Sequence, residues 1–161
     1  MNELERLTKI LARDRVIAVV GLSPRPERPS FTTSRYMQQH GYRIVPVNPQ
    51  AAGIDGGILG EPCHASLTEA AQALRAEGLR IAMVDCFRRS SDIPPIVDEA
   101  IAIGAASVWM QLGIENDEAA ARALAAGLDV VMDRCVKIEH QRWQMFDSRA
   151  AAASLIHARP R

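Results

Sequence analysis

VIAVVGLSPRPERPS, residues 16–30, decides the fold. It opens with a solid apolar run, VIAVV, the pattern of a strand buried on both faces. Gly21 ends the run and lets the backbone turn sharply. A loop dense in Pro and Arg follows. Pro29 or Ser30 then opens a helix through Tyr36 and Met37, closed by Gly41.

The same alternation extends in both directions. Upstream, Leu4, Leu7, Ile10 and Leu11 recur at helical spacing, so residues 2–13 read as an amphipathic helix. Downstream, RIVPVNP (43–49) is a second strand, stopped by Pro49, and residues 50–62 are a Gly-rich loop. Ser66 and Glu69 form a capping box for a helix to Glu77. RIAMVDCF (80–87) is the third strand, and Ser91 or Asp92 caps a helix closed by Gly104. SVWMQLG (107–113) is a strand. GIENDEAAARALAAG (113–127) is a helix whose Asp117 and Glu118 suit its N-terminus. LDVVMD (128–133) is the last strand and residues 136–147 the closing helix. Strict alternation predicts an α/β, Rossmann-like, doubly wound and mostly parallel sheet of about five strands, with helices on both faces. The expected domain covers residues 1–147, with 148–161 as a C-terminal tail.

The chain has 161 residues, enough for one domain with a proper core. Its formal net charge is zero and aromatics are 4%, which argue against nucleic acid or an anionic membrane surface as partner. No apolar run is long enough to span a bilayer, and MNELERLTKILARDR has no signal-peptide core. Cys63, Cys86 and Cys135 have no disulfide-like or CxxC spacing, so reduced thiols in the cytoplasm are expected.

In a doubly wound sheet, ligands bind outside the carboxyl ends of the strands. That rule selects four segments. In GLSPRPERPS, the helix starting near Ser30 offers free N–H groups and a positive dipole end for phosphate, with Arg25 and Arg28 beside it. In VNP, Asn48 stands where a nicotinamide dinucleotide site places an acidic residue, and the glycine loop is not GxGxxG; both count against NAD. In FRRSSDIP, Arg88 and Arg89 suit a ribose phosphate or pyrophosphate, while Phe87 covers an adenine face or is a partly buried core residue. In MQLGIEN, Gln111 reaches into the cleft or ties down the turn made by Gly113.

Together these segments resemble the small bacterial CoA-binding proteins named for the Escherichia coli YccU protein. The matching stretches are VVGLSPRPERPS (19–30), GYRIVPVNP (41–49), ILG (58–60), SL (66–67), VDCFRRS (84–90), AIAIGAASVWMQLGI (100–114) and AGLDVVMDRCVKIEH (126–140). The likeness is collinear over roughly residues 3 to 143. More distantly, the chain looks like the CoA-binding half of the succinyl-CoA synthetase α subunit. The resemblance implies a domain that binds coenzyme A or an acyl-CoA, as a sensing or carrier module. The loop after the first strand would lie near the phosphates, with VNP and FRR flanking the adenosine. By match of position the resemblance implicates Gly21, Ser23, Arg28, Ser30, Asn48, Pro49, Arg88 and Gln111, and the strand-end segments add Leu22, Arg25, Phe87, Arg89 and Gly113 as candidate binding residues. Where relatives often carry a tyrosine before SL, this chain has Cys63 and His64.

Two other function classes stand beside binding. An acyl-CoA-dependent transferase or ligase component would use Cys135 as a thiolate, favoured by Arg134 and a helix N-terminus. Against it, Asp133 and Arg134 pair to brace the closing helix and Cys135 is a small buried hydrophobe. A redox-sensing nucleotide-binding regulator would need dinucleotide affinity and a partner domain. A metal site from Cys63, His64, Cys135 and His140 matches no zinc spacing, and no GxSxG elbow is present. Trp109 and Met110 read as core. The terminal helix and apolar tail suggest a homodimer.

Overall fold

The structure, a computed structural model, describes residues 1–157. Five strands form one parallel sheet: β1 (Val16–Val20), β2 (Arg43–Val47), β3 (Met83–Cys86), β4 (Ser107–Met110) and β5 (Asp129–Val131). Their spatial order is β2-β1-β3-β4-β5. The order reverses between β1 and β3, so a crevice opens at the carboxyl ends of those two strands.

Six helices cover the sheet: α1 (Glu3–Arg13), α2 (Pro29–Gln39), α3 (Leu67–Arg75), α4 (Ile93–Ala102), α5 (Asp117–Ala125) and α6 (Val136–His157). Alternate side chains of β1 separate the two cores. Ala18 and Val20 pack with α3, α4 and α5, while Ile17 and Val19 pack with α1, α2 and α6. Burial of both faces explains the unbroken apolar strands. Trp109 and Met110 are fully buried, as their place in a central strand requires. Among the described residues no helix is long and apolar enough to cross a membrane.

Local chemistry sets the helix ends, and several differ from expectation. Asn2 and Glu5 make a reciprocal capping box at α1. At α3 the Ser66 hydroxyl accepts from the Glu69 N–H, but the Glu69 carboxylate turns to the Ala65 N–H, so the expected box is only half made. Asp92 makes no side-chain cap: Ser90–Asp92 winds as a 3-10 turn running into α4. Pro29 is at the start of α2, preceded by Arg28, which caps without a side-chain hydrogen bond. Helix α6 continues ten residues past 147, through most of the expected tail, because RAAAASLIH is made of good helix formers. Residues 158–161 of that tail lie outside the described residues.

Candidate functional site

Three adjoining hollows open at the switch point. The largest, about 690 Å³, lies between the start of α2, the end of β3 and the segment after β4. A second, about 550 Å³, is walled by the loop after β1, the start of α2 and Asn48. A third, about 410 Å³, reaches from Pro49 to the start of α3. Arg88 lines all three, and Phe87 lines the first two.

Gly21 allows that approach. It adopts φ +90°, and a Cβ there would lie 2.3 Å from the Phe87 carbonyl oxygen. Only glycine lets the β1 loop run against the end of β3. The Gly21 N–H donates to the Val47 carbonyl. The Asn48 amide donates to the Leu22 carbonyl at 3.0 Å, and its oxygen accepts from the Gln50 N–H and from Arg88 Nη2 at 3.3 Å. Asn48 is thus the buried pin that holds the β1 loop, the β2 end and Arg88 in register.

The N-terminus of α2 faces the 550 Å³ hollow without a carboxylate over it. The Ser30 hydroxyl folds back to accept from the Ser23 N–H, leaving the Ser30 N–H with no partner among the described residues. The start of α3 is closed by contrast: Glu99 accepts from the Leu67 and Thr68 N–H groups and the Thr68 hydroxyl. Asn116 caps α5. The N-terminus of α2 thus faces the crevice with room for an anion. Arg28 lines the hollow and Arg25 pairs with Glu27 at its exposed rim. Among the described residues no carboxylate pairs with Arg28, Arg88 or Arg89. Three guanidinium groups free of direct ion pairs therefore gather around one crevice, whose walls also carry Asp92 and Glu99.

Residues 15–141 match the family model described as a CoA binding domain, which takes in every element from β1 to the first turn of α6. The chain belongs to the CoA-binding domain family. Bacillus subtilis (strain 168) YneT is 36% identical over 137 residues, covering 83% of this chain and 91% of YneT. A solved protein from Pyrococcus horikoshii OT3 is 35% identical, covers 88% of this chain and 92% of its own, and superposes with a TM-score of 0.76. One from Thermus thermophilus is 34% identical over 88% of this chain and 98% of its own, with a TM-score of 0.75. The Rex-family repressor RSP, solved with β-NADH, shares the fold alone: 13% identity, a TM-score of 0.53, and coverage of 94% of this chain and 69% of its own.

Within this CoA-binding domain, the residues singled out by sequence divide by role. Gly21, Ser23, Arg25, Arg28, Ser30 and Asn48 line the 550 Å³ hollow. Pro49 lines the 410 Å³ one. Arg89 and Gln111 line the largest. Leu22 lines none of them: its side chain is fully buried in the α1–α2–α6 core. Gly113 also stays outside; its N–H donates to the Asp133 carboxylate at 2.7 Å and it serves the turn. Phe87 packs on that core and also lines two of the hollows.

Sequence reasoning missed Asp85, which lies under the largest hollow. Its carboxylate accepts from Gln111 Nε2 at 2.6 Å. Burial pushes its pKa up to about 7, against the hydrogen bond from Gln111 that pulls it down. An acidic residue inside the apolar run AMVDCF was the signal. Thr33, Leu112 and Ile114 were also missed; exposed Leu112 between Gln111 and Gly113 was the available hint.

Cys135 and Arg134 both depart from the expected brace of the closing helix. Cys135 is half-buried and lines the largest hollow, not a buried hydrophobe. Arg134 does not pair with Asp133; it reaches Glu3 at 3.5 Å and Glu139 at 3.4 Å. Burial raises the thiol pKa of the other two cysteines, Cys63 and Cys86. His140 packs instead against Tyr36, whose hydroxyl is 2.8 Å from its Nδ1, so it does not meet Cys63 or His64. Among the described residues no group of three His, Cys, Asp or Glu side chains could hold a metal ion.

Proposed function

We propose that the domain binds coenzyme A or an acyl-CoA in the crevice at the ends of β1 and β3, as a sensing or carrier module in the cytoplasm. One observation carries the reading: Arg88 stands at the junction of three hollows, beside an uncapped helix N-terminus on one side and an apolar cavity on the other. The phosphates would sit against the Ser30 N–H, Arg25 and Arg28. Asn48, Pro49, Phe87 and Arg88 would flank the adenosine, and the pantetheine arm would run toward Gln111. Membership in the family and the YccU-like segments support the ligand. The neutral net charge speaks against nucleic acid or membrane as partner, and the exposed Met145, Phe146, Leu155 and Ile156 of α6 favour a homodimer.

A thermal-shift panel with CoA, acetyl-CoA, ATP, NAD and NADP tests this. Ligand at a hundred times its dissociation constant adds about 2.7 kcal/mol to native stability. A rise with CoA species alone supports the reading. A rise with NAD alone would favour the redox-regulator reading, and no rise with any ligand would overturn CoA binding.

A second reading, an acyl-CoA-dependent transferase, is favoured by the place of Cys135 in the wall of the largest hollow. Acyl transfer that disappears in Cys135→Ser while CoA binding persists would establish it.

A further inference from the structure

The two larger hollows differ in kind, and the difference bears on the acyl group; this inference rests on the CoA-binding reading above. Arginines and the start of α2 wall the 550 Å³ hollow. Pro29, Phe87, Leu112 and Ile114 give the 690 Å³ one a mostly apolar surface, in a wall that also carries Arg88, Arg89, Asp92 and Gln111. Leu112 is 61% exposed at its mouth. The loop that holds it there is fixed by the Ile114 N–H donating to the Gln111 carbonyl and the Gly113 N–H donating to Asp133. Aliphatic side chains pinned open around a cavity leave apolar surface in water that a ligand would cover favourably. The amide of Gln111, the polar group at the inner end, is already committed on both sides, to Asp85 and to the Val136 N–H. That amide offers little to a thiol arriving there, and the arginines of the wall, Arg88 and Arg89, share that wall with the carboxylate of Asp92.

Phe87 and Arg88 belong to both walls. The two hollows therefore adjoin, and a molecule with anionic phosphates in one and an aliphatic end in the other would pass over these shared residues. We propose that the ligand is a CoA thioester whose acyl group is an uncharged aliphatic chain longer than acetyl, lodged against Leu112, Ile114 and Phe87.

The test is calorimetric titration of the full chain with CoA and with acetyl-, butyryl-, hexanoyl- and succinyl-CoA. Each methylene entering the cavity tightens binding by about two- to fourfold, so hexanoyl-CoA is expected to bind at least about tenfold tighter than CoA. In Leu112→Asp, whose site is exposed and whose folding is checked by its melting curve, that ratio is expected to collapse toward one. Equal affinity for CoA and hexanoyl-CoA, or tighter binding of succinyl- than of butyryl-CoA, overturns the aliphatic assignment while leaving CoA binding intact. Failure of every CoA species to bind overturns the CoA-binding reading itself, and the acyl assignment with it.

Discussion

Gln111 donates its side-chain N–H to the Asp85 carboxylate at 2.6 Å, and its carbonyl accepts from the Val136 N–H at 3.3 Å. One amide thereby joins the end of β3, the segment after β4 and the first turn of α6 beneath the largest hollow. Asp85 is 2% exposed, so ionising it means placing charge in the core.

That burial predicts a pH dependence. The folded-state pKa of Asp85, about 7, stands above the value near 3.9 of an unfolded aspartate. The folded state therefore holds the extra proton between those values. The stability conferred by Asp85 is complete below about pH 4 and is lost as pH rises through 7, by up to about 4 kcal/mol. Urea unfolding of Asp85→Asn and the parent at pH 4 and 7.5 measures this. The variant should gain relative stability toward pH 7.5, and an unchanged difference would sink the assignment.

His140 should act in the opposite direction. Burial, followed by the nearby positive groups His40 and Arg15, pushes its pKa down to about 4. Its neutral ring has the Tyr36 hydroxyl 2.8 Å from Nδ1 and the Gln144 amide nitrogen 3.4 Å from Nε2. A folded pKa below the unfolded value near 6.5 means stability is present above pH 6.5 and is lost as pH falls through 4. Relative to His140→Gln, the parent's melting temperature should fall over that interval; parallel curves would contradict the burial argument.

Gly21→Ala tests the close approach that builds the crevice. The added methyl meets the Phe87 carbonyl at 2.3 Å on a backbone of φ +90°. A loss of about 2–4 kcal/mol in unfolding free energy is expected, with weaker CoA binding because Phe87 and Arg88 are displaced. A variant as stable as the parent would show that the loop can retreat at no cost.

Arg28→Ala and Arg88→Ala should each weaken CoA binding by about 1–3 kcal/mol if the side chain meets a phosphate. Neither guanidinium group has a carboxylate partner among the described residues, so neither change disrupts an internal ion pair, though Arg88→Ala gives up the hydrogen bond to Asn48. Titration of both variants with unchanged affinity would move the phosphate site elsewhere.

Much of this was legible in the sequence because the signals were local. Apolar runs bounded by turns gave all five strands, and Gly21, Asn48 and Arg88 fell at strand ends where ligands of such sheets bind. What was misread depended on partners far along the chain. Glu69 turned to Ala65 at a helix start that Glu99, from α4, also occupies. Arg134 found Glu3 and Glu139 in place of its neighbour Asp133. Leu22 follows the glycine turn, yet its side chain turned into the core.

The sequence by itself determined the alternation of strand and helix, hence a parallel sheet covered on both faces, because burial on two sides demands unbroken apolar strands. It also determined which loops end up at the carboxyl edge. Only the tertiary structure decided the order β2-β1-β3-β4-β5, and with it the meeting of Gly21 and Phe87. It alone placed Asp85 under Gln111, Cys135 in the cavity wall and Leu112 at its mouth. Those juxtapositions join residues from separate elements, and the free energy that selects them comes from packing and desolvation across the assembled core, which no local pattern encodes.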